Sequence, residues 1–191
     1  MNSNLAYRQE EIWEELIDGK AVAMSPRPTT NHYHVSFNIA HIFANYLRGK
    51  RCTPFGDGVD LYLTEKDRFI PDGMVVCDPD KIKRDGVYGA PDLVVEVLSP
   101  STAKNDRGHK KQVYEQCGVR EYWIADPANK TLEQYLLKDG TFELHEVYAV
   151  HPDYMLAKMK EEERAAIPTS FQCSLFDDLD IVLEDVFDRV V

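Results

Sequence analysis

Apolar positions along this chain follow two periods, and the switches between them mark the elements. Val35, Ile39, Ile42, Phe43, Tyr46 and Leu47 recur at i, i+4, i+7, i+8, i+11 and i+12 and predict the clearest helix, with Gly49 as its C-cap. Ile12, Trp13 and Leu16 share one face of a shorter predicted helix over 8–17, ended by Asp18-Gly19, and residues 20–24 predict a first strand. The prolines of Ser25-Pro26-Arg27-Pro28 predict a loop. Val59, Leu61 and Leu63 alternate with polar positions, while residues 74–77 and 93–98 are short apolar runs bounded by prolines. A helix near 106–117 and a strand over 121–125, closed by Asp126-Pro127, come next. Residues 131–137 and 141–148 predict a hairpin about Lys138-Asp139-Gly140. Residues 155–166 read as an exposed helix or an insertion, and 179–190 as a final amphipathic helix. The order fits an α/β or α+β sandwich, and 191 residues without repeat or low-complexity linker suit one domain, 1–191.

Charge changes this picture only locally. The net charge of −11 opposes a protein that coats nucleic acid non-specifically, because phosphate binding runs on Lys and Arg. It leaves open an enzyme that cuts nucleic acid, since a metal site needs carboxylates. Residues 81–111 hold seven Lys/Arg against four Asp/Glu, whereas 151–191 hold four against ten and read first as a solvated acidic end. The four cysteines, Cys52, Cys77, Cys117 and Cys173, form no CxxC pattern. Cys77 and Cys117 read as small core residues. The N-terminal stretch has no signal pattern and no apolar run is long enough to span a bilayer. The expectation is a cytoplasmic protein, away from membranes, with reduced thiols.

The candidate chemistry sits in the second apolar block. In Asp92-Leu-Val-Val-Glu96-Val-Leu98, alternation puts Leu93, Val95 and Val97 on one face and Asp92, Val94 and Glu96 on the other. A carboxylate between two valines is costly to bury unless it is paired or bound to a cation. Asp72 opens a neighbouring apolar run, and if the strands adjoin, Asp72 and Glu96 converge on one hard cation. Lys110, Val113, Tyr114 and Cys117 share the apolar face of the following helix, so Lys110 points with the core, while Lys111 is rotated about 100° away and reads as solvated. Two acids and a lysine around a metal form a workable phosphodiesterase arrangement. Singly, each has a plainer account. Asp72 and Asp92 fit turns after proline, Glu96 fits an ion pair with Arg107, and Lys110 fits a snorkelling lysine at a helix edge.

Asp72 after Pro71, GAPDLVVEVLSPST (89–102) and DRGHKKQVYEQCGVREYWIADP (106–127) together resemble the Uma-type family of restriction-endonuclease-like proteins, within the PD-(D/E)XK nuclease superfamily. ELIDG (15–19), the MSPRP loop with His32, and LEDVF (183–187) are similar too, so the resemblance covers nearly the whole chain. It implies a restriction-endonuclease-like fold, a mixed central sheet flanked by helices. It implies that Asp72 is the motif Asp and Glu96 the acidic member of (D/E)XK. The superfamily's Lys position is Leu98 here, and Lys110 of the next helix is the position that matches instead. Glu15 matches an N-terminal helix Glu that completes such sites. His32 and Asp92 also match family positions. For His32 a hydrogen-bonded structural role weighs against contact with metal or phosphate, and Asp92 reads as a turn or supporting group before a ligand.

The activity implied is DNA phosphodiester hydrolysis with Mg²⁺ or Mn²⁺, the metal held by Asp72 and Glu96 with Glu15 contributing, and Lys110 stabilising phosphoryl charge. Lys104, Arg107, His109 and Lys111 would steer the backbone toward the site. Lys110→Ala is expected to abolish cleavage and leave the fold intact. Cutting both strands of a duplex implies a homodimer. The contrasting expectation is a catalytically silent nuclease fold that binds DNA or a protein partner. Tyr122 and Trp123 read as sheet packing. The chain has no Walker loop, hence no expected nucleotide cofactor, and no motif that reads single-stranded RNA through clustered aromatics.

Overall fold

The computed structural model describes residues 14–23 and 27–191. Glu14–Ile17 (β1) and Lys20–Ala23 (β2) pair as an antiparallel hairpin, Ile17 opposite Lys20. Between them Asp18 and Gly19 have φ of 49° and 74°, the two left-handed residues that a type I′ turn requires. The helix expected over 8–17 is thus corrected at its end: Asp-Gly is a hairpin turn here, not a helix stop. Its residues 8–13, and residues 24–26 of the expected strand and loop, lie outside the described residues.

Helix α1 (Thr30–Tyr46) forms where the 3.6-residue period ran, and the Thr29 hydroxyl accepts the His32 N–H at its start. Leu47 closes it, and Gly49, two residues on, takes the left-handed φ of 76°. Five short strands follow: β3 (Thr53–Gly56), β4 (Leu61–Tyr62), β5 (Arg68–Phe69), β6 (Gly73–Val76) and β7 (Ile82–Lys83). Next come β8 (Gly86–Tyr88), β9 (Leu93–Val97) and a short helix α2 (Ala103–Asn105). A wide, π-type turn over Asp106–Lys110, with non-helical backbone at Gly108, leads into α3 (Lys111–Cys117). Strands β10 (Glu121–Asp126), β11 (Thr131–Lys138) and β12 (Thr141–Ala149) complete the central region. The β11–β12 loop is the expected hairpin, with Asp139 and Gly140 both at positive φ. The charged 155–166 stretch yields two short exposed helices, α4 (Asp153–Leu156) and α5 (Glu161–Ala165).

The expected C-terminal helix is mostly replaced. Ser170–Gln172 (β13) pairs with Asp180–Val182 (β14), and only α6 (Leu183–Val186) is helical. Leu179, Ile181 and Leu183 are buried while Asp180 and Val182 are exposed, so the period here is two and the strand wins.

The central sheet runs β12-β11-β10-β9-β6-β3, and a second six-stranded sheet runs β2-β1-β5-β4-β8-β7. In the central sheet β9 and β10 are parallel and the other neighbours antiparallel. Leu93, Val95 and Val97 pack on one face with α1 and the C-terminal segment. Val94 packs on the other with Leu61, Phe69, Val113 and Tyr114. The alternation expected for β9 therefore holds.

The thiols depart from expectation. Thr53 pairs with Val76 across β3 and β6, which sets Cys52 and Cys77 opposite each other, and they form a disulfide with Cα atoms 4.0 Å apart. Cys77 is thus no free core thiol, and the reduced-thiol expectation fails for this pair; Cys117 and Cys173 are free. No helix among the described residues is long and apolar enough to cross a membrane.

Candidate active site

A cavity of about 590 Å³ opens where α1, β1 and the ends of β6 and β9 meet. Its lining includes Glu15, His32, Asp57, Asp72, Glu96 and Lys110. Asp72 stands just before β6, and its Oδ2 accepts the Val97 N–H at 2.7 Å, which locks it beside the end of β9. His32, in the first turn of α1, holds Nε2 3.3 Å from Asp72 Oδ1. Burial works against the charged imidazole, but the hydrogen bond and charge of Asp72 prevail and raise its pKa.

Glu96 is 2% exposed. Its Oε1 accepts from the Tyr114 hydroxyl at 2.6 Å and from Lys110 Nζ at 3.2 Å. Both bonds fall on Oε1, so Oε2 has no protein donor among the described residues. Burial pushes the Glu96 carboxyl well above the usual carboxylate range; Lys110 opposes this, and the charges of Asp106, Asp72 and Glu15 add to it.

Lys110 is itself buried and lies 2.8 Å from Glu15 Oε1, 3.2 Å from Glu96 Oε1 and 3.6 Å from Asp106 Oδ1. Desolvation would discharge an isolated lysine there, yet the three acids outweigh it and its pKa is raised. The ammonium is thus a fixed, encircled cation. Lys110→Ala would leave three buried acids uncompensated, so it is no longer expected to leave the fold intact. Glu15 also accepts the Ile70 N–H at 2.9 Å. It does so from strand β1, not from the helix that the resemblance implied.

Two acids were missed in the sequence. Asp57 lines the cavity from a loop, and its pKa is raised first by partial desolvation and then by the charge of Asp72. Nothing local in Gly56-Asp57-Gly58 marks it. Asp106 is 1% exposed, and neither carboxylate oxygen accepts a well-formed hydrogen bond among the described residues. Its i,i+4 relation to Lys110 was the available signal.

Other expected residues lie elsewhere. Asp92 accepts the Cys77 N–H at 2.8 Å and faces Arg120, at the far end of β9 from Glu96, so it ties strands together. Arg107 bonds Glu133 at 2.6 Å instead of Glu96, His109 bonds Asp67 at 2.7 Å, and Lys111 lies 3.8 Å over the Tyr135 ring. Neither these three nor Lys104 lines the cavity. Tyr122 and Trp123 are fully buried in the two cores, as expected.

Among the described residues no three His, Cys, Asp or Glu side chains are already arranged to hold a metal ion. The chemistry of the donors nevertheless fits one. Glu15, Asp57, Asp72 and Glu96 face one cavity against one ammonium (Lys110), one guanidinium (Arg27) and one imidazole (His32). The raised pKa values of Asp57 and Glu96 record the cost of charging these acids without further positive charge. A hard divalent cation with oxygen ligands would offset that excess.

Residues 4–168 match the Uma2 family, described as "Putative restriction endonuclease". The chain belongs to the Uma2 family. This Uma2 chain is 33% identical over 135 residues to the uncharacterized protein slr1290 of Synechocystis, covering 70% of this chain and 64% of the relative's length. A second Synechocystis protein, sll1609, is 26% identical over 134 residues, 67% of this chain and 75% of the relative. The chain thus spans less than two thirds of the first relative's length. Its structure is similar to a crystal structure from Anabaena variabilis described as a putative nuclease belonging to DUF820. The TM-score is 0.68 at 18% identity, over 93% of this chain and 91% of that one. At that identity the likeness shows the fold: restriction-endonuclease-like, with a mixed sheet flanked by helices.

Proposed function

We propose that this Uma2 protein is a divalent-metal-dependent endonuclease that hydrolyses DNA phosphodiester bonds, using Mg²⁺ or Mn²⁺. The observation that carries the reading is the excess of carboxylates over cations in one cavity of a nuclease-type fold. Asp72 and Glu96 would hold the cation, with Glu15 and Asp57 beside them. When bound, such a cation polarises a phosphoryl oxygen and lowers the pKa of a water.

The chain's own groups do the positioning. The Val97 N–H and His32 Nε2 fix Asp72 from two sides. Tyr114 and Lys110 both hold Glu96 by Oε1, which leaves Oε2 available. Lys110 also restrains Glu15, so one ammonium orients two acids from different elements. The resemblance matches Lys110 to the motif lysine, and its charge offsets the repulsion between the acids. Cutting both strands of a duplex would call for two copies of the chain.

The test is cleavage of supercoiled, linear and single-stranded DNA with Mg²⁺, with Mn²⁺ and with chelator, beside Asp72→Ala/Glu96→Ala. Metal-dependent cutting is expected. In the double variant it should fall by more than the about 100-fold that supporting groups around a metal ligand typically carry. No cutting by folded protein whose melting temperature rises with metal would reject catalysis and favour a silent nuclease fold that binds DNA or a protein.

A further inference from the structure

Helix α1 buries one face, through Val35, Ile39 and Phe43, and exposes an aromatic row on the other. Tyr33 and Phe37 are 54% and 51% exposed. Their ring centroids lie 5.9 Å apart with planes 16° from parallel, and Phe37 and His41 repeat this at 5.9 Å and 11°. The i, i+4, i+8 spacing thus builds one near-parallel row along the helix. It starts one residue from His32, which lines the cavity. The core does not need these rings, and a contiguous exposed aromatic patch calls for a partner.

Charge says what kind. Residues 19–56 contain no Asp or Glu, in a chain with 33 of them, and carry Lys20, Arg27, Arg48, Lys50 and Arg51. Arg27 lines the cavity mouth at the near end of the row. Arg48, just beyond the helix, falls within about 60° of Tyr33 at roughly 100° per residue. Arg27, Arg48 and Arg51 have no ion-pair partner among the described residues. Carboxylates flank the row: Val191, the last residue of the chain, bonds Asn31 at the start of α1. Asp178 binds Lys50 and the Tyr46 hydroxyl, and the C-terminal segment closes one flank where Asn38 donates to the Val186 and Asp188 carbonyls. An aromatic row flanked by cations suits a polyanion that has flat apolar faces to offer.

Duplex bases have those faces covered by their neighbours, so the row can stack only on unpaired bases. Its 5.9 Å repeat also exceeds the roughly 3.4 Å rise per nucleotide of a duplex strand. We propose that Tyr33, Phe37 and His41 form a stacking platform for an extended single-stranded DNA segment that leads into the cavity, with Arg27 and Arg48 contacting its phosphates. This rests on the reading of DNA as the substrate. No single-strand-reading motif of clustered aromatics was expected from the sequence; this cluster lies on a helix instead of a sheet.

The test is fluorescence anisotropy with a short labelled oligo-dT and a duplex of equal length, in chelator so that nothing is cut. The native chain should bind oligo-dT more tightly than the duplex. Tyr33→Ala/Phe37→Ala should weaken oligo-dT binding by about tenfold or more with little change for the duplex. Arg48→Ala should lower the salt slope by about one phosphate contact. Oligo-dT binding no tighter than duplex binding would overturn the proposal. So would native-like binding by the folded double variant, or light scattering showing a native dimer that the double variant dissolves, the face then belonging to a second copy. Intact oligo-dT binding in a chain that never cuts keeps the platform and rejects the nuclease reading. Metal-dependent cutting of duplex without oligo-dT binding does the reverse.

Discussion

Glu96 and Glu121 sit on adjacent parallel strands, β9 and β10, on opposite faces of the central sheet, and both are almost wholly buried. Their surroundings differ in kind. Glu121 Oε1 accepts from Trp123 Nε1 at 2.7 Å and Gln134 Nε2 at 2.6 Å, while Oε2 accepts from the Ser174 N–H and hydroxyl. Both oxygens are filled by neutral donors. Glu96 has donors on one oxygen only, shares Lys110 with Glu15 and Asp106, and faces a cavity. The contrast separates two uses of a buried acid. A carboxylate saturated by dipoles holds structure together. One crowded by other acids, with an oxygen to spare, is arranged for a positive ligand.

The sharpest way to break this contrast is to remove the cation from the Glu96 cluster. Lys110→Met keeps much of the side-chain volume but leaves Glu15, Glu96 and Asp106 buried without a counter-charge. We expect a loss of about 3–5 kcal/mol at neutral pH. The loss should shrink as the pH falls, because protonation then neutralises Glu96 and Asp106, whose pKa values burial already raises. Urea titration at two pH values measures both, and an unchanged midpoint at neutral pH would mean that Lys110 only lies near the acids.

Glu121→Ala probes the other side. It strands the Trp123, Gln134 and Ser174 donors in the core and should cost about 2–4 kcal/mol. Its mark is what it spares: the rise in melting temperature with Mg²⁺ should persist, since Glu121 is not among the residues lining the cavity. A metal response lost together with stability would show that the two acids are not separate in function.

What was legible in the sequence follows how far a local period places a partner, not the number of residues between them. Glu96 stood out as a carboxylate between valines, and Lys110 lies only 14 residues on, at helical spacing with Val113 and Tyr114. Glu121 heads an equally apolar strand, but apart from Trp123, two residues on, its donors are Gln134 on the next strand and Ser174 in the C-terminal segment. Only the β10–β11 register and the arrival of the C-terminal segment bring them in. The same limit hid the Cys52–Cys77 bridge, which depends on how β3 pairs with β6. It hid Asp57 too, which reaches the cavity from a loop. Asp18-Gly19 is different, because there the local signal was present and pointed to a hairpin; the short apolar pattern before it fits either period.

The smallest change, Glu96→Gln, should act with the opposite sign from the other two. Below the ordinary carboxylate range Glu96 is protonated in both the folded and the unfolded chain, and its contribution to stability is fully present. As the pH rises the unfolded chain releases its proton while the folded chain still holds it, so stability falls until the raised folded pKa is passed. Glutamine keeps the acceptor for Tyr114 and Lys110 and has no proton to lose, while Lys110 keeps Glu15 and Asp106 as partners. The metal-free variant should therefore match the native protein in acid and exceed it in stability at neutral pH. Thermal melts across pH in chelator read this directly. The same variant should lose the Mg²⁺-induced rise in melting temperature, because a neutral amide is a far weaker ligand for a hard cation. Greater stability without metal, combined with loss of the metal response, is the signature of an acid kept at a stability cost for a ligand. A variant less stable at every pH would instead mean that Lys110 more than compensates the charge, and Glu96 would then stand beside Glu121 as a structural acid.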